Sequence, residues 1–146
     1  MKIVLQRVKK AKVLVEGKTA GEIGAGVCLL VGIEKGDREV EADYLADKVI
    51  GLRIFPDEQG KMNLSLMETG GGILAVSQFT LAASIKKGRR PSFDQAESPE
   101  QAARLFNYFV ERLKGSGLKV ETGVFQAMMD VYLINDGPVT FILDSK

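Results

Sequence analysis

The chain of 146 residues has no histidine, no tryptophan, one cysteine and only 4 prolines. Each shortage removes some chemistry. Without imidazole there is no Ser–His or Cys–His nucleophile pair and no histidine-ligated zinc hydrolase, and a single thiol cannot build a four-thiolate metal site. No metal and no cofactor are therefore expected, and chemistry has to come from hydroxyls, amides, main-chain groups or the substrate. With Cys28 alone, no intramolecular disulfide can form, and a reducing cytosol is the expected compartment. Long apolar runs are missing too. No segment reaches the ~18–20 apolar residues of a membrane helix, and the opening Met1-Lys2-Ile3-Val4-Leu5-Gln6-Arg7 turns polar too early for a signal peptide, so no membrane partner is expected. Charge of one sign is also lacking: 20 Lys and Arg against 19 Asp and Glu leave a net +1, so any attraction to a polyanion has to be local.

What is present suits a globular chain. At 45% hydrophobic residues, one domain over residues 1–146 is expected, able to bury roughly 68–70% of its unfolded surface. Residues 1–9 and 11–16 read as strands, with a turn at Glu16-Gly17-Lys18 and a hairpin expected, and the apolar run Val27 to Ile33 suits a strand buried on both faces. From an N-cap at Asp37, the positions Val40, Tyr44, Leu45, Val49 and Leu52 predict one amphipathic helix. Ser98-Pro99-Glu100-Gln101 opens a second, with Ala102, Leu105, Phe106, Phe109 and Leu113 as its stripe and Gly115-Ser116-Gly117 as its end. Further strands are predicted at 52–55, 73–82, 118–121, 125–134 and 139–143. Strands that seldom alternate singly with helices imply an α+β fold: two largely antiparallel sheets, sandwich- or barrel-like, with two main helices on an outer face.

Few positions carry a chemical signal. Cys28 sits in an apolar run and reads as a small buried hydrophobe. Gly21, Gly24 and Gly26 lead into a strand rather than a helix, so they read as turn residues and not as a phosphate cradle. In Ser77-Gln78-Phe79-Thr80, strand alternation would put Gln78 and Thr80 on one side and Ser77 and Phe79 on the other, the plain reading being an exposed strand face with Phe79 in the core. Lys86, Lys87, Arg89 and Arg90 crowd a Gly- and Pro-containing loop, which is either a solvated turn or a grip on nucleic-acid phosphates. Asn135-Asp136-Gly137-Pro138 looks first like a hairpin turn, yet Pro138 restricts Gly137 and offers no N–H, leaving an acceptor-rich tip.

Taken together, Ser77-Gln78-Phe79-Thr80-Leu81 and Asn135-Asp136-Gly137-Pro138-Val139-Thr140 resemble the D-aminoacyl-tRNA deacylase family, also called D-tyrosyl-tRNA deacylase. Gln6-Arg7-Val8, Lys61-Met62-Asn63-Leu64 and Arg89-Arg90-Pro91-Ser92-Phe93 support the match, which runs nearly end to end. The resemblance implies a homodimer acting on the 3′ end of D-aminoacyl-tRNA and on glycyl-tRNA mischarged on alanine tRNA, with no DNA partner. It implies a cis Gly137–Pro138 peptide that enters the other subunit's pocket beside Ser77 to Thr80, where its carbonyls hold the substrate ammonium and exclude an L side chain. It further implies an oxyanion donor in the Phe79 N–H, orientation by Gln78 and Thr80, Ser77, Met129 and Asn135 around the pocket, and help from the tRNA 2′-hydroxyl. The family's Phe-Gly-Ala departs here to Phe125-Gln126-Ala127, and strand alternation would turn Gln126 away from the pocket wall that Met129 forms. From other classes, a non-catalytic RNA-binding module using the Lys86–Arg90 loop and a dimeric structural domain remain alternatives.

Overall fold

A computed structural model describes residues 1–146. Its spine is β1 (Lys2–Val15), whose buried side chains run Ile3, Leu5 and then Val8, Ala11, Val13. The step from Leu5 to Val8 breaks the period of two, so the strand serves two cores. Ile3 and Leu5 join the larger one, under the helices, while Val8, Ala11 and Val13 join Ile23, Cys28, Leu74 and Val76 in the smaller. Along one edge β1 pairs antiparallel with β3 (Gly26–Gly32) through its first half and with β2 (Lys18–Ile23) through its second. Along the other edge it pairs antiparallel with β8 (Asp130–Asp144).

The sheet then continues in parallel, β3 beside β6 (Gly72–Ser77) and β6 beside β7 (Val120–Thr122). Parallel neighbours need covered crossovers, and the helices supply them. β3 and β6 are buried on both faces, which is why they read as unbroken apolar runs: Val27, Leu29, Val31, Ile73 and Ala75 face the helices, whereas Cys28, Leu74 and Val76 face the other side. The sheet curls until β2 meets β7. At Gly21 a Cβ would lie 2.4 Å from the Thr122 carbonyl oxygen, so only glycine permits that closure. A short ribbon of β4 (Phe55–Pro56) and β5 (Met62–Leu64) forms the second sheet.

Three helices complete this α+β fold: α1 (Glu39–Gly51), the single turn α2 (Leu66–Thr69) and α3 (Pro99–Lys114). α3 follows its sequence stripe, with Ala102, Leu105, Phe106, Phe109 and Leu113 all buried. α1 does so only in part. Leu45 and Val49 are buried as expected, but Val40 and Tyr44 are exposed and Ala42 and Ala46 take their place, because a face with two alanines lets α1 approach α3 closely. The Tyr108 hydroxyl donates to Asp43 at 3.0 Å, and Arg112 pairs with Asp43 at 2.7 Å, across the seam. Asp37 is not the N-cap, which is Arg38. Its carboxylate is buried and accepts from the Met1 ammonium at 2.6 Å and from the Glu34 N–H at 2.7 Å.

Two strand assignments change in ways that matter for function. The strand expected to reach residue 82 stops at Ser77 and becomes a 3-10 turn, Phe79–Ala82. Residues 123–129 are loop, so alternation from Phe125 to Leu133 does not apply. Nor is Asn135–Pro138 a hairpin turn: β8 keeps its direction along β1 on both sides of a large bulge, where the pairing is interrupted. The register passes from Gln6–Thr140 to Val8–Asn135, so Arg7 alone stands opposite Asp136, Gly137, Pro138 and Val139.

Candidate active site

A cavity of about 510 Å³ lies past the ends of β3, β6 and β7. Val76, Ser77, Gln78 and Phe79 continue β6 into it, the loop Phe125–Met129 forms the opposite wall, and Pro99 and Ala102 of α3 close the floor.

The turn after β6 has an identifiable cause. The Gln78 N–H completes the ladder to the Val31 carbonyl at 2.8 Å, after which Gln78 adopts φ −144° and the chain coils. It coils over the end of β3 because residue 32 is glycine: a Cβ there would lie 2.7 Å from the Leu81 Cβ. Coiling overturns the expected alternation. Gln78 and Thr80 still meet, through a hydrogen bond from Gln78 Nε2 to Thr80 Oγ1 of 2.5 Å, but Phe79 is 59% exposed and not in the core. The Phe79 N–H opens the turn, so the turn cannot satisfy it internally, and it takes no other main-chain acceptor.

Met129 lines the cavity with Ser77, Gln78 and Phe79, and so does Gln126, which alternation had placed on the other side. Gln126 sits at φ +63°, a left-handed conformation that glycine adopts more easily. Asn135, Gly137 and Pro138 do not line the cavity, nor do Thr80 and the basic residues Lys86, Lys87, Arg89 and Arg90. Those four cations occupy an exposed hairpin whose foot is pinned by paired main-chain bonds between Ser84 and Ser92 of 2.8 and 2.9 Å.

The tip of β8 is held by Arg7. Its Nε donates to the Asp136 carbonyl at 3.0 Å and lies 3.3 Å from the Asp136 carboxylate, while Nη1 donates to the Ile54 carbonyl at 2.6 Å. The Gly137–Pro138 peptide is cis, and the Asn135 amide lies so close to Gly137 that a Cβ there would be 2.5 Å from it. Arg7 carried a signal in the sequence only as part of Gln6-Arg7-Val8, a stretch that supports the family resemblance; as one of five cations in β1 it does not stand out. Glu97, the one ionisable side chain lining the cavity, carried none; its Oε1 accepts from the Ser98 N–H at 2.7 Å. Cys28 is buried, and that burial pushes its thiol up to about 11.

The family model described as D-Tyr-tRNA(Tyr) deacylase matches residues 4–144. The chain belongs to this family. Among relatives, the D-aminoacyl-tRNA deacylase of Bacillus velezensis is 60% identical over 146 residues, covering 100% of this chain and 99% of that protein. Its counterpart in Geobacter sulfurreducens is 58% identical, covering 100% and 96%. A solved structure described as a c-Myc DNA unwinding element binding protein is 42% identical, with a TM-score of 0.94 over 100% of this chain and 99% of that one. Another, described as a probable eukaryotic D-amino acid tRNA deacylase, shares the fold at 18% identity, with a TM-score of 0.84 over 97% of each chain. As a member of the D-Tyr-tRNA(Tyr) deacylase family, the chain is a hydrolase of the D-aminoacyl-tRNA deacylase type.

Proposed function

We propose that the protein is a cytosolic homodimer that frees D-amino acids from tRNA, and glycine from mischarged alanine tRNA, in a site completed by the Gly137–Pro138 tip of a second copy. The observation that carries this reading is a division within one protomer: Ser77, Gln78, Phe79 and Met129 line the cavity, whereas Asn135, Gly137 and Pro138 stand elsewhere, on an edge strand. That strand has one hydrogen-bonded neighbour, β1, and exposes Tyr132, Ile134 and Ile142, the last at 77%. Unpaired apolar edges are usually covered, and a second copy covering this one would carry the tip with it.

In such a site the tip's carbonyls accept the substrate α-ammonium and leave no space for an L side chain, so main-chain atoms reject L-aminoacyl-tRNA. The Phe79 N–H, left without an acceptor by the turn, stabilises the oxyanion, a role worth roughly 10²–10³ in rate. Gln78 and Thr80 orient the aminoacyl-adenosine; Thr80 has no base beside it, so it does not act as a nucleophile. Holding the ester and water in attack geometry supplies up to ~7–11 kcal/mol, and the terminal ribose 2′-hydroxyl helps to activate the water.

Incubation with D- and L-tyrosyl-tRNA in EDTA tests the chemistry: D-tyrosine alone is released, at a rate the chelator does not change. Binding without release would instead support the nucleic-acid-binding module, a reading favoured by the exposed Lys86–Arg90 hairpin. Ile142→Asp, read by sedimentation, tests the assembly. The expected result is a protomer without stereoselective cleavage, and a protomer that still discriminates D from L overturns the shared site.

A further inference from the structure

The turn after β6 leaves the Phe79 ring at the cavity mouth, and a second exposed aromatic meets it. Phe93, 41% exposed, has its ring centroid 5.1 Å from that of Phe79 at an interplanar angle of 53°. Two adjoining exposed aromatics are not explained by core packing. Their position follows from the hairpin: Phe93 succeeds Ser92, whose main-chain pairing with Ser84 fixes the hairpin's foot against the turn. Beyond that foot, Lys86, Lys87, Arg89 and Arg90 are exposed, and none is in an ion pair. The carboxylate nearest in sequence to Phe93, that of Asp94, accepts from the Ser92 hydroxyl at 2.7 Å. From the cavity outward the order is therefore pocket, aromatic rings, free cations.

Single-stranded nucleic acid is bound by this combination, with bases stacked on aromatic faces and phosphates held by Lys and Arg. We infer that Phe93, backed by Phe79, is a stacking platform for the unpaired nucleotides immediately before the terminal adenosine of the tRNA, with the Lys86–Arg90 hairpin on their phosphates. The inference rests on the deacylase reading and adds a base-binding site to it. It gives a protein of net charge +1 a local grip on a polyanion, since four neighbouring unpaired cations stand beside two rings that any base can stack on.

The test compares D-tyrosyl-tRNA with D-tyrosyl-adenosine, which carries the same ester and no preceding nucleotide. Phe93→Ala is expected to raise KM for the tRNA about tenfold while leaving kcat in place, as the loss of one stacked base implies. Phe93→Leu, apolar but without a ring, should behave like the alanine variant, Phe93→Trp should retain the low KM, and hydrolysis of D-tyrosyl-adenosine should change in none of them. Equal effects on both substrates, or full function in Phe93→Leu, overturn the platform. So does a shift in the dimer fraction on sedimentation, which would show that the rings are covered by a second copy. If the wild type cleaves neither ester, the deacylase reading fails by itself. Fluorescence anisotropy with a labelled CCA-ended oligonucleotide then decides the platform: binding weakened by Phe93→Ala supports it, and equal binding overturns it.

Discussion

At the scale of single residues, Arg7 and Gln126 do the least expected things. Arg7 spends a planar, permanently charged fork on two carbonyls far apart in sequence, those of Ile54 and Asp136, and so sets where the β8 tip stands. Removing it leaves both oxygens unpaired in a half-buried place. Arg7→Ala should destabilise the fold by about 1–3 kcal/mol on chemical denaturation. It should also lower the ratio of kcat/KM for D- over L-tyrosyl-tRNA, whereas a stable variant with intact selectivity would show that the tip needs no anchor. Lysine, a point charge with no fork, should restore little. Gln126 keeps a left-handed backbone that an L residue adopts at a cost of roughly 1–2 kcal/mol. Gln126→Gly is therefore expected to raise Tm by about 2–4 °C on calorimetry, an estimate for 1 kcal/mol in a chain of this size.

At the scale of elements, the decisive event is the end of β6. A strand continuing to residue 82 would have buried Phe79 and left no free N–H beside the cavity. The 3-10 turn instead needs a site on which to lie, and Gly32 at the end of β3 provides it. Gly32→Ala puts a methyl within 2.7 Å of the Leu81 Cβ and 3.1 Å of the Gln78 carbonyl oxygen. Overpacking of this kind costs about 1–3 kcal/mol and pushes the turn outward. The expected result is a folded protein whose kcat falls more than its KM rises, and unchanged kcat would separate the turn from the chemistry. The helices differ in how far local sequence governs them. α3 could be read residue by residue because one unbroken stripe of large side chains meets the core. α1 could be read only in part: Leu45 and Val49 are buried as expected, but the rest of its buried face is alanine and its larger Val40 and Tyr44 point to solvent, so hydrophobicity alone rotates the face too far toward them.

At the scale of the whole molecule, the start of β1, the segment before α1 and the end of β8 are tied by one ionic cluster. Glu34 receives Lys2 at 2.8 Å and Lys146 at 3.4 Å, and the Met1 ammonium lies 3.6 Å away. Burial pushes its carboxyl up, but the Lys2 hydrogen bond and the charges of Lys146, Lys2 and the ammonium together outweigh it and hold the group below its ordinary 4.5. A carboxyl depressed on folding stabilises the protein fully above 4.5, and that contribution disappears as pH falls through the lower folded value. Stability measured by denaturant should therefore drop with acid in that window, and Glu34→Gln should be less stable at neutral pH with a shallower acid slope. An identical slope in the variant would place the acid sensitivity elsewhere.

The sequence by itself determined the α+β class, the position of α3, the inward burial of β3 and the two motifs by which the family is recognised. These are properties of periodicity and local identity, which each segment carries without its neighbours. Only the tertiary structure decided that β8 continues along β1 on both sides of a bulge at 136–139 rather than turning back, that Phe79 faces outward, and that Gln126 belongs to the cavity wall. The reason is lateral: β8 resumes its course after the bulge because β1, distant in sequence, offers it a hydrogen-bonding edge on both sides of that bulge. A strand ends where a distant residue leaves space to coil, as Gly32 does for the turn after β6.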